Sequence, residues 1–270
     1  MASIDSAFFD IGALDTLAQG DTPVHRLDPR AKVLTSLVFI VCVASFDKYA
    51  LAALLPFCLY PLALVGSARL PLGFLLKKLL MVAPFAFFIG IFNPLFDHRV
   101  LLQLGPLAVT GGWISFLSIL LRFTLTIGTA LVLIATTSFP GVCMALEGLG
   151  APRVFAVQLL LLYRYIFVLI NETARMVRAR ALRSFKGRGL GMKIFGTMVG
   201  QLLLRTVDRA QRIHLAMLCR GFDGEIRLSR RLHIGRAEVL FTLGWSTLFL
   251  LFRLVNVPQL LGTWVTELLR

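Results

Sequence analysis

Basic side chains are concentrated between residues 153 and 236. This stretch holds seventeen of the 28 Lys and Arg residues and four of the 14 Asp and Glu residues, so it carries +13 of the net charge of +14. Most of these cations are arginines, whose rigid guanidinium forks bind carboxylates or phosphates bidentately. The chemistry predicted here is recognition of something acidic, either carboxylates of a partner protein or headgroups of anionic lipids.

Two of the arginines stand among small neighbours, in the triplets Ala179-Arg180-Ala181 and Cys219-Arg220-Gly221. Small flanking side chains allow an arginine to approach another protein closely. Each triplet lies near the end of a predicted amphipathic helix, one beginning near Pro152 and one running from Phe195 to Gly221. The apolar face of the second helix is predicted to contain Phe195, Val199, Leu202, Leu203, Val207, Ala210, Ile213 and Met217.

A further cation, Arg122, falls inside the apolar run 113–137. An ionisable side chain within a membrane span is a functional candidate by default. Snorkelling to the interface or pairing inside a helix bundle explains it equally well, and the sequence leaves these interpretations open.

Metal and nucleotide chemistry find no support in the sequence. The four cysteines and four histidines are scattered without the clustered spacing of a metal site. The glycine-rich segment 186–191 lacks the spacing of a phosphate-binding loop. Nucleic-acid binding, the usual interpretation of a pI near 10.6, is not favoured because the charge lies between apolar segments and no reading module is recognisable. We expect this chain to bind no metal, cofactor or nucleic acid.

The composition indicates a membrane protein. Hydrophobic residues make up 57% and charged residues 16% of the chain, against about 45–50% and about 25% in ordinary globular proteins. We predict an all-α polytopic membrane protein with five transmembrane helices, or six, and a cytoplasmic domain of two to three helices. The apolar runs that predict these helices are 33–46, 49–66, 70–92, 113–137, 153–170 and 237–255.

The positive-inside rule orients these segments. It places the loop near Lys77 and Lys78 in the cytoplasm together with the basic insert 171–236. Two spans between them satisfy this arrangement, and a third would move the insert outside. The run 153–170, which carries Arg164, is therefore expected not to cross fully.

Five crossings then place the N-terminus inside and the C-terminus outside. The runs 33–46 and 49–66 are expected to form a tight hairpin. The predicted divisions are an N-terminal cytoplasmic segment, four transmembrane helices, a cytoplasmic or interfacial domain, and a last transmembrane helix with an amphipathic tail; their bounds are 1–30, 31–140, 141–236 and 237–270.

Three segments together resemble the T component, the transmembrane coupling subunit, of energy-coupling factor (ECF) transporters. The first is the N-terminal motif 25–32, which contains Asp28, Pro29 and Arg30. The second is the segment 136–152, with Thr136, Thr137 and Glu147. The third is the pair of arginine triplets. The resemblance runs from about residue 25 to 255. Because the family's triplets usually read Ala-Arg-Ser or Ala-Arg-Gly, Arg183 in Leu182-Arg183-Ser184 rivals Arg180 for the first position.

The resemblance implies a mechanism and a set of partners. A T component grips a substrate-binding membrane protein, the S component, and a dimer of ABC-type ATPases that binds ATP and Mg²⁺. Arg180 and Arg220 would each dock into an acidic groove of one ATPase. The chain would be a multi-pass protein of the cell inner membrane, surrounded by lipid, with no enzymatic site of its own.

The cargo is expected from resemblance alone. The N-terminal motif and the segment Arg220–Gly224 are most similar to the cobalt and nickel branch, CbiQ or NikQ, whose metal specificity would reside in a metal-binding S component. A T component for vitamins is the alternative. More remote alternatives are a membrane scaffold or channel and a phosphatidyltransferase-like enzyme, which would need clustered acidic residues for a divalent metal.

Overall fold

The computed structural model describes residues 15–96, 100–104, 107–183, 191–224 and 235–255. The fold is all-α, as predicted, and the described residues include one small antiparallel hairpin, β1 (Val100–Leu104) and β2 (Leu107–Thr110), in the expected loop between two spans. The chain divides into two compact units, residues 1–145 with 232–270, and residues 146–231. The termini 1–14 and 256–270, and the tail predicted within the latter, lie outside the described residues.

The first unit contains most of the helices. After a short turn of helix, α1 (Pro23–Arg26), come α2 (Pro29–Ala44), α3 (Leu51–Leu54), a 3-10 turn (Leu55–Cys58), α4 (Leu59–Ala68), α5 (Leu72–Gly90), α6 (Phe92–Phe96), α7 (Gly111–Thr137), α8 (Phe139–Gly148) and α11 (Arg236–Leu254). Helix α2 is the central element because it packs against both α7 and α11, and α5 packs along α7.

An aromatic cluster forms the centre of this unit. Phe39 of α2, Phe57 of the 3-10 turn, Tyr60 of α4 and Phe249 of α11 are each at most 1% exposed. Their ring centroids lie 5.0–6.1 Å apart along the pairs Phe39–Tyr60, Phe39–Phe249 and Phe57–Phe249, within the range in which aromatic pairs add favourable energy to burial. The cluster therefore joins α11 to α2, the 3-10 turn and α4.

The second unit is a pair of long helices, α9 (Arg153–Arg183) and α10 (Met192–Cys219), connected through residues 184–191. Helix α10 has no buried residue and α9 has one, Ala156. Two helices this exposed gain little stability from a core of their own.

Five helices among the described residues are long and apolar enough to cross a membrane: 51–68, 72–94, 111–137, 153–183 and 236–254. The number agrees with the prediction, but two members of the set differ. Helix α2, expected to cross as 33–46, has 16 residues, a length of about 24 Å against a hydrocarbon core of about 30 Å. The run 153–170, expected to stop short, belongs to a 31-residue helix that is long enough to cross.

Candidate functional site

The two helices of the second unit run antiparallel. The N-terminal half of α9 and the C-terminal half of α10 line one cavity, and the C-terminal half of α9 and the N-terminal half of α10 line another. Between the two cavities, Arg205 Nη1 donates a hydrogen bond to Glu172 Oε1 at 2.7 Å. We call this pair of helices the arginine hairpin.

Arg220 stands at the end of α10, where its conformation is set by the residues that follow. The amide of Phe222 donates to the carbonyl of Met217 and that of Gly221 to the carbonyl of Leu218, both at 3.0 Å. This is the Schellman arrangement, in which the residue after the helix is left-handed. Gly221, with φ of +78°, fills that position. The glycine of the triplet therefore terminates the helix and presents Arg220 at its exposed end.

The other triplet lies in different surroundings. Ala179, Arg180 and Ala181 are inside α9, which continues to Arg183. Arg180 and Arg183 are exposed and line the same polar cavity of about 600 Å³, so their placement is similar. The assignment of Arg180, with Arg183 as its rival, stays a prediction.

The hairpin separates the two triplets. From Glu172 to Arg180 the rise along α9 is about 12 Å, and from Arg205 to Arg220 along α10 it is about 22 Å in the opposite direction. Because the ion pair aligns Glu172 with Arg205, Arg180 and Arg220 lie at opposite ends of the antiparallel pair, on the order of 30 Å apart.

Helix α10 also carries an exposed apolar face. Phe195, Val199, Leu203 and Val207, predicted for this face, are 47–62% exposed. A side chain placed at Gly196 or Gly200 would meet nothing within 4 Å. Ala210, Ile213 and Met217 of the predicted set, together with Val207, line the second cavity, which is mainly apolar and has a volume of about 640 Å³. The predicted stripe is therefore divided between an open surface and the groove facing α9.

The N-terminal motif and the segment that begins at Thr136 meet in the first unit. Asp28 caps α2 by accepting a hydrogen bond from the Arg30 amide at 2.8 Å, and Pro29 occupies the first helical position, where its missing amide costs nothing. Lys32, 3% exposed, donates from Nζ to the Thr136 carbonyl at 2.8 Å. A cation at the C-terminal end of α7 is favoured by the helix dipole and satisfies an otherwise unpaired carbonyl.

Thr137 is buried, and the left-handed Ser138 (φ +62°) separates α7 from α8. Glu147 is exposed near the end of α8. The structure thus unites Asp28, Pro29 and Thr136 in one contact region, whereas Glu147 has no part in it.

His25 ties the segment before α2 to its surroundings. Its Nε2 lies 3.0 Å from the Leu17 carbonyl and its Nδ1 lies 2.7 Å from Thr22 Oγ1, so Nε2 donates and Nδ1 accepts in the neutral ring. Burial lowers the pKa of His25 from its ordinary 6.5; the hydrogen bond to Leu17 opposes the shift and the charge of Lys32 adds to it. The packed conformation of this segment therefore favours the neutral form of the His25 ring.

Arg122 satisfies backbone groups in the turn after α2. One of its Nη atoms lies 2.9 Å from the Phe46 carbonyl and 3.3 Å from that of Asp47. Arg253 of α11 reaches the same turn, donating to the Ser45 carbonyl at 3.0 Å and lying over the Phe46 ring at 4.5 Å. Of the interpretations left open by the sequence, this geometry favours pairing inside the bundle.

Three of these contacts were not predicted. The sequence shows Lys32 only as the last residue of the N-terminal motif, and no pattern in it connects Arg253 with Ser45 or Glu172 with Arg205. A lone acid among arginines at the middle of a helix is the one feature that could have identified Glu172. Among the residues that the structure describes, no group of three His, Cys, Asp or Glu residues could hold a metal ion.

Comparison with known proteins places the chain in a family. Residues 20–234 match the family model CbiQ, described as cobalt transport protein. The chain belongs to the CbiQ family. The energy-coupling factor transporter transmembrane protein EcfT of Bacillus subtilis is 27% identical over 76% of this chain and 82% of its own length. EcfT of Streptococcus thermophilus is 29% identical over 76% and 83%.

An uncharacterised protein of Methanocaldococcus jannaschii is 29% identical over 86% of this chain and 80% of its own length. The match to the family model and the EcfT relatives confirm that this membrane protein is an ECF T component. The match to the family model spans both units, because its residues 20–234 include the arginine hairpin.

Proposed function

We propose that this T component couples a dimer of ABC-type ATPases to a substrate-binding S component for uptake of cobalt or nickel. The observation that carries the proposal is the placement of Arg180 and Arg220 at opposite ends of the arginine hairpin. One hairpin can then engage two separate acidic grooves, one on each ATPase. The ATPases bind ATP and Mg²⁺, and this chain contributes no catalytic group.

The proposed mechanism depends on two stiff helices that can tilt relative to each other. An arginine fork that binds a carboxylate bidentately fixes the direction of the contact as well as its position. When ATP closes the ATPase dimer, the two ends of the hairpin are displaced relative to each other. The ion pair Glu172–Arg205 joins the helices near their middle and allows them to tilt about their crossing while they remain connected. The hairpin then acts as a lever with two arrangements that nucleotide selects.

The S component is proposed to bind the exposed apolar face of α10. Large exposed apolar patches mark sites of protein or membrane interaction, and the open space above Gly196 and Gly200 would allow a partner helix to approach closely. Tilting of α10 would thereby move the S component and release its cargo inside the cell.

The orientation is proposed from charge. Lys77 and Lys78 lie in the first turns of α5, and the segment 153–236, which contains the arginine hairpin, holds seventeen of the remaining 26 cations. Basic segments next to spans are retained in the cytoplasm. The N-terminus and the hairpin, within the predicted coupling domain 141–236, are therefore proposed to be cytoplasmic, in the inner membrane of the cell. This arrangement requires that α2 cross the bilayer despite its short length and that α9 not cross despite its long apolar stretch.

Cobalt or nickel is favoured as cargo by the description of the matching family. The described residues of this chain offer no metal cluster, so selectivity would reside in a metal-binding S component. A vitamin is the second candidate, favoured by the relatives named EcfT rather than cobalt transport protein.

Charge reversal of Arg220 and of Arg180, one at a time, tests the coupling role. Arg178→Glu is the matched control because it lies on α9 outside the polar cavity. We expect R220E and R180E to insert normally but to lower ATP-dependent cobalt uptake into vesicles by at least about tenfold, since each loses a charge-assisted contact to an ATPase. R178E should retain most of its uptake.

Uptake at wild-type levels by both R220E and R180E would reject the coupling proposal. If R183E loses uptake and R180E does not, the first position belongs to Arg183. Competition with nickel and with vitamins in the same vesicles then identifies the cargo.

A further inference from the structure

Among the described residues that line it, the polar cavity of the arginine hairpin holds more positive than negative charge. We call it the arginine cavity; it is lined by Arg175, Arg180 and Arg183 of α9, by Arg205 of α10, and by one acid, Glu172. Glu172 is engaged with Arg205. Three further arginines surround this volume of about 600 Å³, and Glu172 is the one carboxylate among its described lining residues.

A cluster of neighbouring arginines favours the binding of an anion. Like charges around one cavity repel one another, and the repulsion is relieved when an anion enters and accepts hydrogen bonds from the guanidinium groups. At about 100° per residue, Arg175, Arg183 and Arg180 lie at about −60°, +20° and +80° around α9 relative to Glu172. All three therefore face one side of the helix, with Arg183 between the other two, and the long side chains of Arg175 and Arg183 can reach an anion held between them.

The polarity of the groove identifies the kind of anion. The apolar stretch of α9 ends at Ile170, and the arginine cavity begins at Glu172. Beyond the ion pair, the same two helices enclose the apolar cavity, whose lining on α9 extends from Phe155 to Leu169. That lining is about 21 Å long, which exceeds half of a hydrocarbon core, about 15 Å. The charged cavity is therefore followed along the hairpin by an apolar groove that is long enough to hold the acyl chain of a phospholipid.

We propose that an anionic phospholipid binds between α9 and α10, with its headgroup phosphate in the arginine cavity and an acyl chain along the apolar cavity. Arg175 and Arg183 hold the phosphate, and Thr197 and Gln201, which also line the cavity, offer further polar groups. A zwitterionic lipid would leave the excess positive charge of the cavity uncompensated, so lipids with net negative charge are selected. This lipid site goes beyond the proposed coupling role, although Arg180, which that role assigns to an ATPase, lines the same cavity.

The test compares two double variants of equal charge in the full-length chain, purified in mild detergent and loaded with phosphatidylglycerol or phosphatidylcholine. R175Q/R183Q removes two arginines of the cavity, and R178Q/R212Q removes two that do not line either cavity. Native mass spectrometry measures the lipid retained. We expect the wild type and R178Q/R212Q to prefer phosphatidylglycerol, and R175Q/R183Q to bind it about tenfold more weakly.

Equal retention of phosphatidylglycerol by the two double variants would overturn the proposal, as would equal retention of the two lipids by the wild type. Saturation by inorganic phosphate at the same concentration, with no advantage for the lipid, would show a site for free anions and reject the lipid. Should R175Q/R183Q fail to fold, R175K/R183K and photo-crosslinking of phosphatidylglycerol to the wild type replace it. Crosslinks are expected in the peptides around 172–183 and 194–205, and crosslinks found only elsewhere would overturn the proposal.

Discussion

Arg205 of α10 and Glu172 of α9 form an ion pair of 2.7 Å across the arginine hairpin. The Arg205 side chain is 60% exposed and that of Glu172 is 22% exposed. Exposed ion pairs contribute about 0–1 kcal/mol, so this pair contributes little to folding. Its position between the two cavities makes it the point about which the helices align.

Reversing one charge of this pair should therefore affect coupling more than stability. We expect Glu172→Arg to place two like charges together, to leave the thermal unfolding temperature nearly unchanged, and to lower uptake about fivefold, the factor that corresponds to about 1 kcal/mol. The exchanged pair E172R/R205E should recover most of the uptake. An exchanged pair no better than E172R would show that the two residues act separately.

Lys32 should be important for stability rather than transport. Replacing Lys32 with Met leaves the buried Thr136 carbonyl without its 2.8 Å donor. An unsatisfied buried acceptor costs about 1–3 kcal/mol, which should lower the thermal unfolding temperature in detergent and the amount of protein in the membrane. Leu34→Met, at an exposed position of the same helix, is the control. Equal stability of K32M and L34M would contradict the role assigned to Lys32.

Substitution of Arg122 tests whether this residue is needed for stability or for transport. Arg122→Met removes the donor to the Phe46 and Asp47 carbonyls and should destabilise the chain by about 1–3 kcal/mol. Arg122→Lys should restore part of this loss. Uptake divided by the amount of folded protein should stay at the wild-type value. A stable R122M that cannot transport would instead place Arg122 on a transport path.

Much of the fold could be predicted because hydropathy and charge are local properties. The breaks after Ala44 and before Leu72 follow from polar residues and proline in the sequence. The family was predictable because the motifs around Asp28, Thr136 and Arg220 are contiguous segments. The choice of helices that cross the membrane was predicted less well, because a run of apolar residues does not reveal where a helix ends. Helix α9 continues through its arginines to Arg183.

The long-range contacts could not be read from the sequence. Lys32 and Thr136 are 104 residues apart, and Arg253 and Ser45 are 208 residues apart. No periodicity within a helix connects such residues, because tertiary packing alone determines which helices are neighbours. The sequence thus identifies the residues of the motifs but not their structural role, which is to cap α2 and α7.

His25 should make the packing of residues 15–27 sensitive to pH. Its pKa in the folded chain is lowered by burial from the ordinary 6.5, so the unfolded segment binds more protons below that value. Stability is then fully present above about pH 6.5 and decreases as the pH falls towards the folded pKa. Hydrogen exchange of these residues should accelerate at pH 5.5 relative to pH 7.5. In His25→Asn the pH dependence should disappear, and an unchanged dependence would assign it to another group.

Two glycines of the first unit should respond in opposite ways to alanine. A Cβ at Gly90 of α5 would lie 2.8 Å from Cδ2 of Phe116 on α7, whereas a Cβ at Gly128 of α7 meets nothing within 4 Å. The Phe116 ring is held between Phe87 and Trp113, with centroids at 5.7 and 6.1 Å, so it cannot turn away without loss of these contacts.

Gly90→Ala should therefore separate α5 from α7 and cost about 1–3 kcal/mol, the usual penalty for overpacking. Gly128→Ala should be neutral or stabilising by up to about 1 kcal/mol, because alanine favours the helix. Thermal unfolding of the two variants in the same detergent measures the difference. If G90A is as stable as G128A, the approach of α5 to α7 does not depend on the missing side chain. The double variant G90A/F116A, in which the obstructing ring is absent, should lose the overpacking penalty and show only the cost of the missing ring.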